Sequence, residues 1–193
     1  IKLRAETDSE ALKIKFSNME IYKKNLPKNT SCKTLYDIAE KVRYETLGKK
    51  MLKGVSINLQ ENYEYQNLIK RKDQLKTKDD VKISEAFELY MLQNIFGLKL
   101  NLLSKKILSF WEKDLKSSID KHLDFLNKNL ENQDNYSSKF SEILENMDVF
   151  NSNNDENSND DNEKDNEQEN KSENDDDSQS DGKEDKNKQD ETQ

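Results

Sequence analysis

The sequence predicts an all-α protein, a bundle of about five helices followed by a disordered acidic segment. Apolar residues before position 151 recur at intervals of three and four, which places their side chains on one face of a helix. No stretch shows the two-residue alternation typical of a strand. All the hydrophobic residues, 31% of the 193, lie before position 151. The predicted domains are therefore a helical domain, 1–150, and an acidic linker or tail, 151–193.

The acidic segment carries most of the chain's charge. Residues 151–193 contain 17 Asp and Glu against 5 Lys, a net charge of −12, whereas the whole chain carries −8. Without apolar residues the segment cannot offset a backbone ordering cost of about 1–2 kcal/mol per residue, so we expect disorder. The helical part has a net charge of +4, but its lysines are scattered and form no basic cluster. This pattern indicates a solvated surface rather than a nucleic-acid partner.

The first helix is predicted from Arg4 to about Leu26, and Pro27 marks its end because proline disfavours helical geometry at the preceding residue. Its apolar stripe consists of Leu12, Phe16, Met19, Tyr22 and Leu26.

A second helix is predicted to begin at Thr30 or Ser31, either of which can cap it, and to continue as far as Leu59. Gly48 and Gly54 fall inside this span. Because glycine costs about 1 kcal/mol in a helix interior, the pair predicts a break, a close helix crossing or a bend.

Residues 62–78 are polar and are expected to form a connection with little core. Thr77 and Asp80 have the spacing of a capping box before the third helix, for which Gly97 is a natural C-terminal stop. The core face of the third helix consists of Ile83, Phe87, Tyr90, Met91 and Ile95.

A long fourth helix is predicted from about Asn101 to Leu130, and a fifth ends near Phe150. The apolar positions of the fourth are Ile107, Leu108, Trp111, Leu115, Ile119, His122 and Leu126. Those of the fifth are Tyr136, Phe140, Ile143, Leu144 and Met147.

Few residues suggest chemistry. His122, the one histidine, lies on an apolar stripe, so a partly buried core residue is the preferred interpretation over a general base or metal ligand. Cys32 has no partner for an intrachain disulfide. Its position beside Lys33 near a helix start could lower the pKa of its thiol, but no nucleophile motif accompanies it. Trp111 is interpreted as a core anchor. We predict no catalytic, cofactor-binding or metal-binding residue.

No apolar run approaches the roughly 18 residues of a membrane span. A signal peptide is also absent, so we expect a cytoplasmic protein without a membrane partner.

Residues 43–59 form a distinctive segment, Arg-Tyr-Glu-Thr-Leu-Gly-Lys-Lys-Met-Leu-Lys-Gly-Val-Ser-Ile-Asn-Leu. It resembles the Arg-x-Glu-x-x-Gly-x-x-x-x-x-Gly-Val-x-x-Asn-Leu signature of the CobT family, a subunit of the aerobic, ATP-dependent cobaltochelatase. The positions for which the resemblance implies structural roles are Arg43, Glu45, Gly48, Gly54, Asn58 and Leu59, together with Trp111 of a later motif.

The resemblance covers nearly all of residues 4–150, and the acidic run after it also suits the family. Outside the segment the similar positions include Arg4, Leu12, Leu26-Pro27, Gly97, Lys106–Trp111, Leu126, Gln133, Leu144 and Asp148. Two family pairs, His-Asp and Arg-Glu, are replaced by Asn18-Met19 and Leu92-Gln93.

The resemblance implies a non-catalytic assembly or chaperone-like subunit in cobalamin biosynthesis. Its partners would be an AAA+ ATPase subunit of the CobS type and a large chelatase subunit of the CobN type, in a hetero-oligomeric ring. ATP with magnesium, and cobalt, would bind to those other chains. A metal-binding A-type domain would follow the acidic linker. The alternative is a freestanding acidic-tailed helical protein that binds basic partners.

Overall fold

The computed structural model describes residues 2–69 and 75–147. These residues are helical and contain no strand, which confirms the predicted all-α class. The helices are α1 (Lys2–Phe16), α2 (Met19–Lys24), α3 (Thr30–Met51), α4 (Lys53–Ile69), α5 (Ile83–Met91), α6 (Leu102–Ser109), α7 (Glu112–Ile119), α8 (Leu123–Lys128) and α9 (Gln133–Glu145). The predicted acidic segment and the boundary at residue 150 lie outside the described residues and stay predictions.

The longest helix, α3, is the centre of the bundle. It contacts α1, α4, α5 and α9. Such a helix needs apolar residues on several sides, and Leu35, Ala39 and Val42 are each at most 1% exposed. These four helices therefore take their positions from α3.

The prediction of one continuous first helix was wrong. The chain leaves helical geometry at Ser17 and Asn18 and starts again as α2. The Asn18 side chain accepts hydrogen bonds from the backbone N–H groups of Glu20 and Ile21, so it caps α2. Met19, assigned to the apolar stripe, is 54% exposed. The local capping capacity of asparagine outweighs the helical periodicity here.

The prediction that residues 62–78 form a connection with little core was also wrong. Helix α4 continues to Ile69, and Asn62 and Tyr63 are buried. Leu75 and Val81, on the other side of the undescribed residues 70–74, are buried as well. Few apolar residues were available to show this, because the buried face of α4 is built partly from Asn and Tyr.

The predicted stop at Gly97 is confirmed. Gly97 has a φ of 78°, in the left-handed region that favours glycine. It ends a π-helical turn, Leu92–Phe96, that continues α5. The predicted capping box is also present, with the Asp80 carboxylate accepting a hydrogen bond from the Thr77 backbone N–H at 2.8 Å.

The long helix predicted from Asn101 to Leu130 is divided into α6, α7 and α8, so this prediction was wrong in its continuity. The first break lies at Phe110 and Trp111, where the Trp111 indole N–H donates to the Val81 carbonyl oxygen at 2.8 Å. The second is a 3-10 turn, Asp120–His122, where Asp120 accepts a hydrogen bond from the Tyr90 hydroxyl. Side-chain contacts with distant residues accompany both breaks.

Among the described helices, none combines the length and the apolar composition needed to cross a membrane.

The two glycines of α3 and α4 have different surroundings. A Cβ added at Gly48 would lie 2.3 Å from Cδ1 of Leu12, a buried side chain of α1. A Cβ added at Gly54 would meet nothing within 4 Å. Gly48 therefore permits a close crossing of α1 and α3, as one of the sequence alternatives predicted. Packing within the described residues does not require a glycine at position 54.

We predict opposite stability changes for alanine at these two positions. Gly48→Ala overpacks the crossing against Leu12 and should lower the free energy of unfolding by about 1–3 kcal/mol. Gly54→Ala should raise it by about 0.4–1 kcal/mol, because alanine restricts the unfolded chain and favours the helix. Urea denaturation of both variants measures these changes. Changes of the same sign would contradict the different surroundings.

Candidate functional site

The distinctive segment 43–59 spans the end of α3 and the first half of α4. Its side chains divide into two groups. Arg43, Glu45 and Leu59 are at most 2% exposed, whereas residues 50–54 are all exposed. The inward side chains build the body of the bundle, and the outward ones form a surface.

Arg43 is the most deeply buried charged group of this segment, with a side chain 0% exposed. Its guanidinium donates to the carbonyl oxygen of Phe16 at 2.7 Å and to that of Leu130 at 3.0 Å. Phe16 is the last residue of α1, where a carbonyl lacks a helical donor and carries negative partial charge. Leu130 lies in the turn between α8 and α9. One side chain of α3 thus joins the ends of two other elements.

Glu40, one helical turn before Arg43, balances its charge. The two side chains form an ion pair of 3.3 Å, Nε to Oε2, and both are buried. The Glu40 carboxylate also accepts hydrogen bonds from Gln133 Nε2 at 3.1 Å and from Ser137 Oγ at 2.5 Å, both on α9. Gln133 in turn accepts the backbone N–H of Asn18 at 2.7 Å. Because each group has partners, the cost of burying this pair is reduced.

Glu45 forms a second buried polar cluster on α3. Its carboxylate accepts a hydrogen bond from Ser9 Oγ of α1 at 2.6 Å and another from the hydroxyl of Tyr63 of α4. Burial raises the pKa of Glu45 above its ordinary value of 4.5. The pKa of Tyr63 is also raised well above its ordinary value, first by burial and then by the charge of Glu45. This cluster connects three helices around one carboxyl group.

Asn58 and Trp111 make single directed contacts. Asn58 Nδ2 donates to Asp8 Oδ2 of α1 at 2.7 Å, which adds a link between α1 and α4. Trp111 is half-buried against the core, and its ring lies 3.9 Å from Lys78 Nζ. Asp114 pairs with the same lysine at 2.6 Å. These side chains fix the approach of neighbouring elements.

The exposed part of the segment, which we call the α3–α4 corner, is apolar and basic. It consists of Lys50, Met51, Leu52, Lys53, Gly54 and Ile57. Leu52 itself is not helical and marks the junction of the two helices. Its N–H donates to the Gly48 carbonyl at 3.0 Å at the end of α3, and its carbonyl accepts the Ser56 N–H at 2.9 Å at the start of α4.

His122 is half-buried, as its place on an apolar stripe predicted. Burial and the nearby charges of Lys139 and Lys121 lower its pKa, which favours the neutral imidazole. Within residues 2–69 and 75–147, no three His, Cys, Asp or Glu side chains converge as a metal-binding group.

The possibility of a lowered thiol pKa at Cys32 is contradicted. Cys32 is fully buried, and its thiol donates to the Leu144 carbonyl oxygen at 3.5 Å. Burial, with a further contribution from the charge of Glu145, raises its pKa to about 11. The thiol is therefore protonated at neutral pH and is a poor nucleophile.

Four partners of the buried clusters were not identified from the sequence: Ser9, Glu40, Tyr63 and Ser137. Only Glu40 had a local signal, because residues i and i+3 share a helix face and opposite charges there can pair. The others lie on different helices, and each sits among polar neighbours that resemble a solvated surface.

We predict a large loss of stability for Arg43→Met. The variant leaves Glu40 without its cationic partner and two backbone carbonyls without a donor, which should lower the free energy of unfolding by about 3–5 kcal/mol. Lys24→Met is a matched control, because it removes an exposed ion pair with Asp134 and should have a much smaller effect. Urea denaturation compares them. Equal losses would contradict the role assigned to Arg43.

We predict a pH-dependent benefit for Glu45→Gln. Since burial raises the pKa of Glu45 above 4.5, the folded state binds this proton more tightly than the unfolded state does. The contribution of the protonated Glu45 carboxyl to folding stability is complete below the ordinary carboxyl pKa. It is lost as the pH rises through the raised pKa of the folded state. From pH 4 to pH 8, unfolding free energies should therefore shift in favour of Glu45→Gln relative to the unaltered chain.

Asp134→Asn provides the control, whose difference from the unaltered chain should change little from pH 4 to pH 8, because hydrogen bonds from Asn25 and Lys24 lower the pKa of Asp134 below 3.8. Its contribution is present above the ordinary pKa and is lost as the pH falls through the lowered value. A pH-independent difference between Glu45→Gln and the unaltered chain would contradict the raised pKa.

Comparison with known proteins gives one family. The sequence model of the CobT family, described as cobalamin biosynthesis protein CobT, matches residues 1–193. No solved structure matches the chain. Since the match covers all 193 residues, the chain belongs to the CobT family of cobalamin biosynthesis proteins.

Proposed function

We propose that this protein is a non-catalytic assembly subunit of an aerobic, ATP-dependent cobaltochelatase. In this role it supports ATP-dependent insertion of cobalt into the corrin ring by holding other subunits in position. The partners are an AAA+ ATPase subunit of the CobS type and a large subunit of the CobN type, in a cytoplasmic hetero-oligomeric ring. ATP with magnesium binds to the ATPase, and cobalt is the substrate of the large subunit.

One observation carries the assembly role within the family assignment. The polar side chains of Arg43 and Glu45 in segment 43–59 point inward, and their hydrogen bonds join helices of the same chain. Arg43 contacts the end of α1 and the turn between α8 and α9, and Glu45 joins α1 to α4. Side chains engaged in this way hold helices at fixed positions. A rigid helical body is what a subunit that positions others requires.

The surface of the same segment also favours this role. Met51 and Leu52 are 57% and 53% exposed beside lysines, although leucine and methionine are usually buried. Exposed apolar side chains surrounded by polar ones are typical of surfaces that contact another protein.

The test is reconstitution of the enzyme from purified subunits. The full-length gene product is mixed with the ATPase and large subunits, ATP and magnesium, and the complex is measured by size-exclusion chromatography with light scattering. We expect co-elution with the ATPase, and cobalt insertion only when all the subunits are present. Omission of this chain should abolish insertion.

His122→Ala is the control for a catalytic role. His122 is half-buried and lies outside segment 43–59. We therefore expect complex formation and cobalt insertion by the variant to stay within about twofold of those of the unaltered protein. Arg43→Met, destabilised by about 3–5 kcal/mol, should lose both at temperatures at which circular dichroism shows that it has unfolded. Loss of insertion in a folded, fully assembled His122→Ala complex would contradict the non-catalytic assignment. Binding to basic proteins without binding to the ATPase would favour the freestanding acidic-tailed alternative.

A further inference from the structure

The α3–α4 corner presents large apolar side chains that the described residues cover only in part. Met51, Leu52 and Ile57 are 57%, 53% and 47% exposed. Within α4, Lys53, Gly54 and Ile57 follow the spacing i, i+1 and i+4, so they lie on one side of its first turn. A Cβ at Gly54 would meet nothing within 4 Å, and we call the space that its missing side chain leaves beside Ile57 and Lys53 the notch.

Gly54 has no role inside the described fold. It lies in α4, is exposed, and has an ordinary φ, since only Gly97 has a positive value among the described glycines. Glycine is about 1 kcal/mol worse than alanine in a helix. A glycine in such a place is useful when another backbone or a bulky side chain approaches closely.

The crossing at Gly48 provides the internal precedent. There the missing Cβ admits Leu12 of α1 against the backbone of α3. Gly54 lies on α4, beyond the non-helical Leu52, and is exposed rather than packed against another helix. A similar space is therefore available on the outside of the bundle.

The charge of the corner indicates the chemistry of its partner. Residues 46–60 contain three lysines and no Asp or Glu, in a helical part with a net charge of +4. Lys49 is engaged, because its Nζ donates to the Phe96 carbonyl oxygen at 2.7 Å. Lys50 and Lys53 form no ion pair with any described residue. The nearby Asp8 carboxylate already accepts a hydrogen bond from Asn58.

We propose that the α3–α4 corner is the docking site for an acidic amphipathic helix of a partner subunit. The helix lies across Gly54 at close range, as α1 lies across Gly48. Its apolar side chains pack between Met51, Leu52 and Ile57, and its carboxylates pair with Lys50 and Lys53. This inference rests on the proposed function and assigns the surface by which the subunit holds its partner.

The test measures affinity for the purified ATPase and large subunits by biolayer interferometry, with the full-length protein immobilised. Gly54→Leu fills the notch without touching the core and should weaken binding to one of the two subunits at least tenfold. Its midpoint of thermal unfolding should not fall. Lys50→Glu/Lys53→Glu should weaken the same interaction at least tenfold and reduce its dependence on salt concentration.

Lys28→Glu/Lys33→Glu is the matched control. It makes the same change in charge near the other end of α3, where Lys33 lies 17 residues before Lys50, about 25 Å along a helix. Both lysines are exposed. We expect its affinities to be within twofold of those of the unaltered protein. A weaker affinity of the corner variants would then result from the position of the changed lysines and not from the change in net charge.

The outcomes separate this inference from the proposed function. If the unaltered protein binds a subunit and the corner variants bind as tightly, the docking site is wrong and the assembly role stands. If the unaltered protein binds neither subunit, both are wrong. If light scattering finds a homodimer that Gly54→Leu abolishes, the occupant is a second copy of this chain, which overturns the acidic helix.

Discussion

The buried guanidinium of Arg43 is where the separate helices of this bundle meet. It donates to the last carbonyl of α1 and to a carbonyl in the turn between α8 and α9, and it pairs with Glu40 on its own helix. A charge taken out of water is stabilised only when its surroundings supply acceptors and opposite charge. This requirement fixes the positions of α1, α3 and the start of α9 relative to one another.

The interruption between α1 and α2 agrees with this constraint. The end of α1 at Phe16 exposes a carbonyl group that a continuous helix would have bonded internally. Arg43 satisfies it, while Asn18 caps the next helix and donates its backbone N–H to Gln133. A break that would be unfavourable in an isolated peptide is therefore stable in the bundle.

This explains which parts of the structure were predictable. The stop at Gly97 and the capping box of Thr77 and Asp80 depend on residues next to each other in the chain, and both were predicted. The helix breaks depend on partners far away, since Arg43 lies 27 residues from Phe16 and 87 from Leu130. Periodicity in the sequence identifies the apolar face of a helix, but it does not identify the group of another element that packs against that face. The buried clusters were missed for the same reason, because Ser9 and Ser137 resemble surface residues until their carboxylate partners are placed.

The residues of segment 43–59 fall into two groups, those with contacts inside the chain and those without. Contacts inside the chain explain Arg43 by charge compensation, Glu45 by hydrogen bonding and Gly48 by close helix packing. Gly54 has no such reason and opposes helix formation, yet it lies among exposed apolar and basic side chains. Within 17 residues the segment combines a well-packed interior with an exposed surface that costs stability. This combination fits a subunit in which contacts with a partner offset that cost. Under the proposed docking, Arg43 and Glu45 hold the corner in place, and the partner supplies the contacts that the corner lacks.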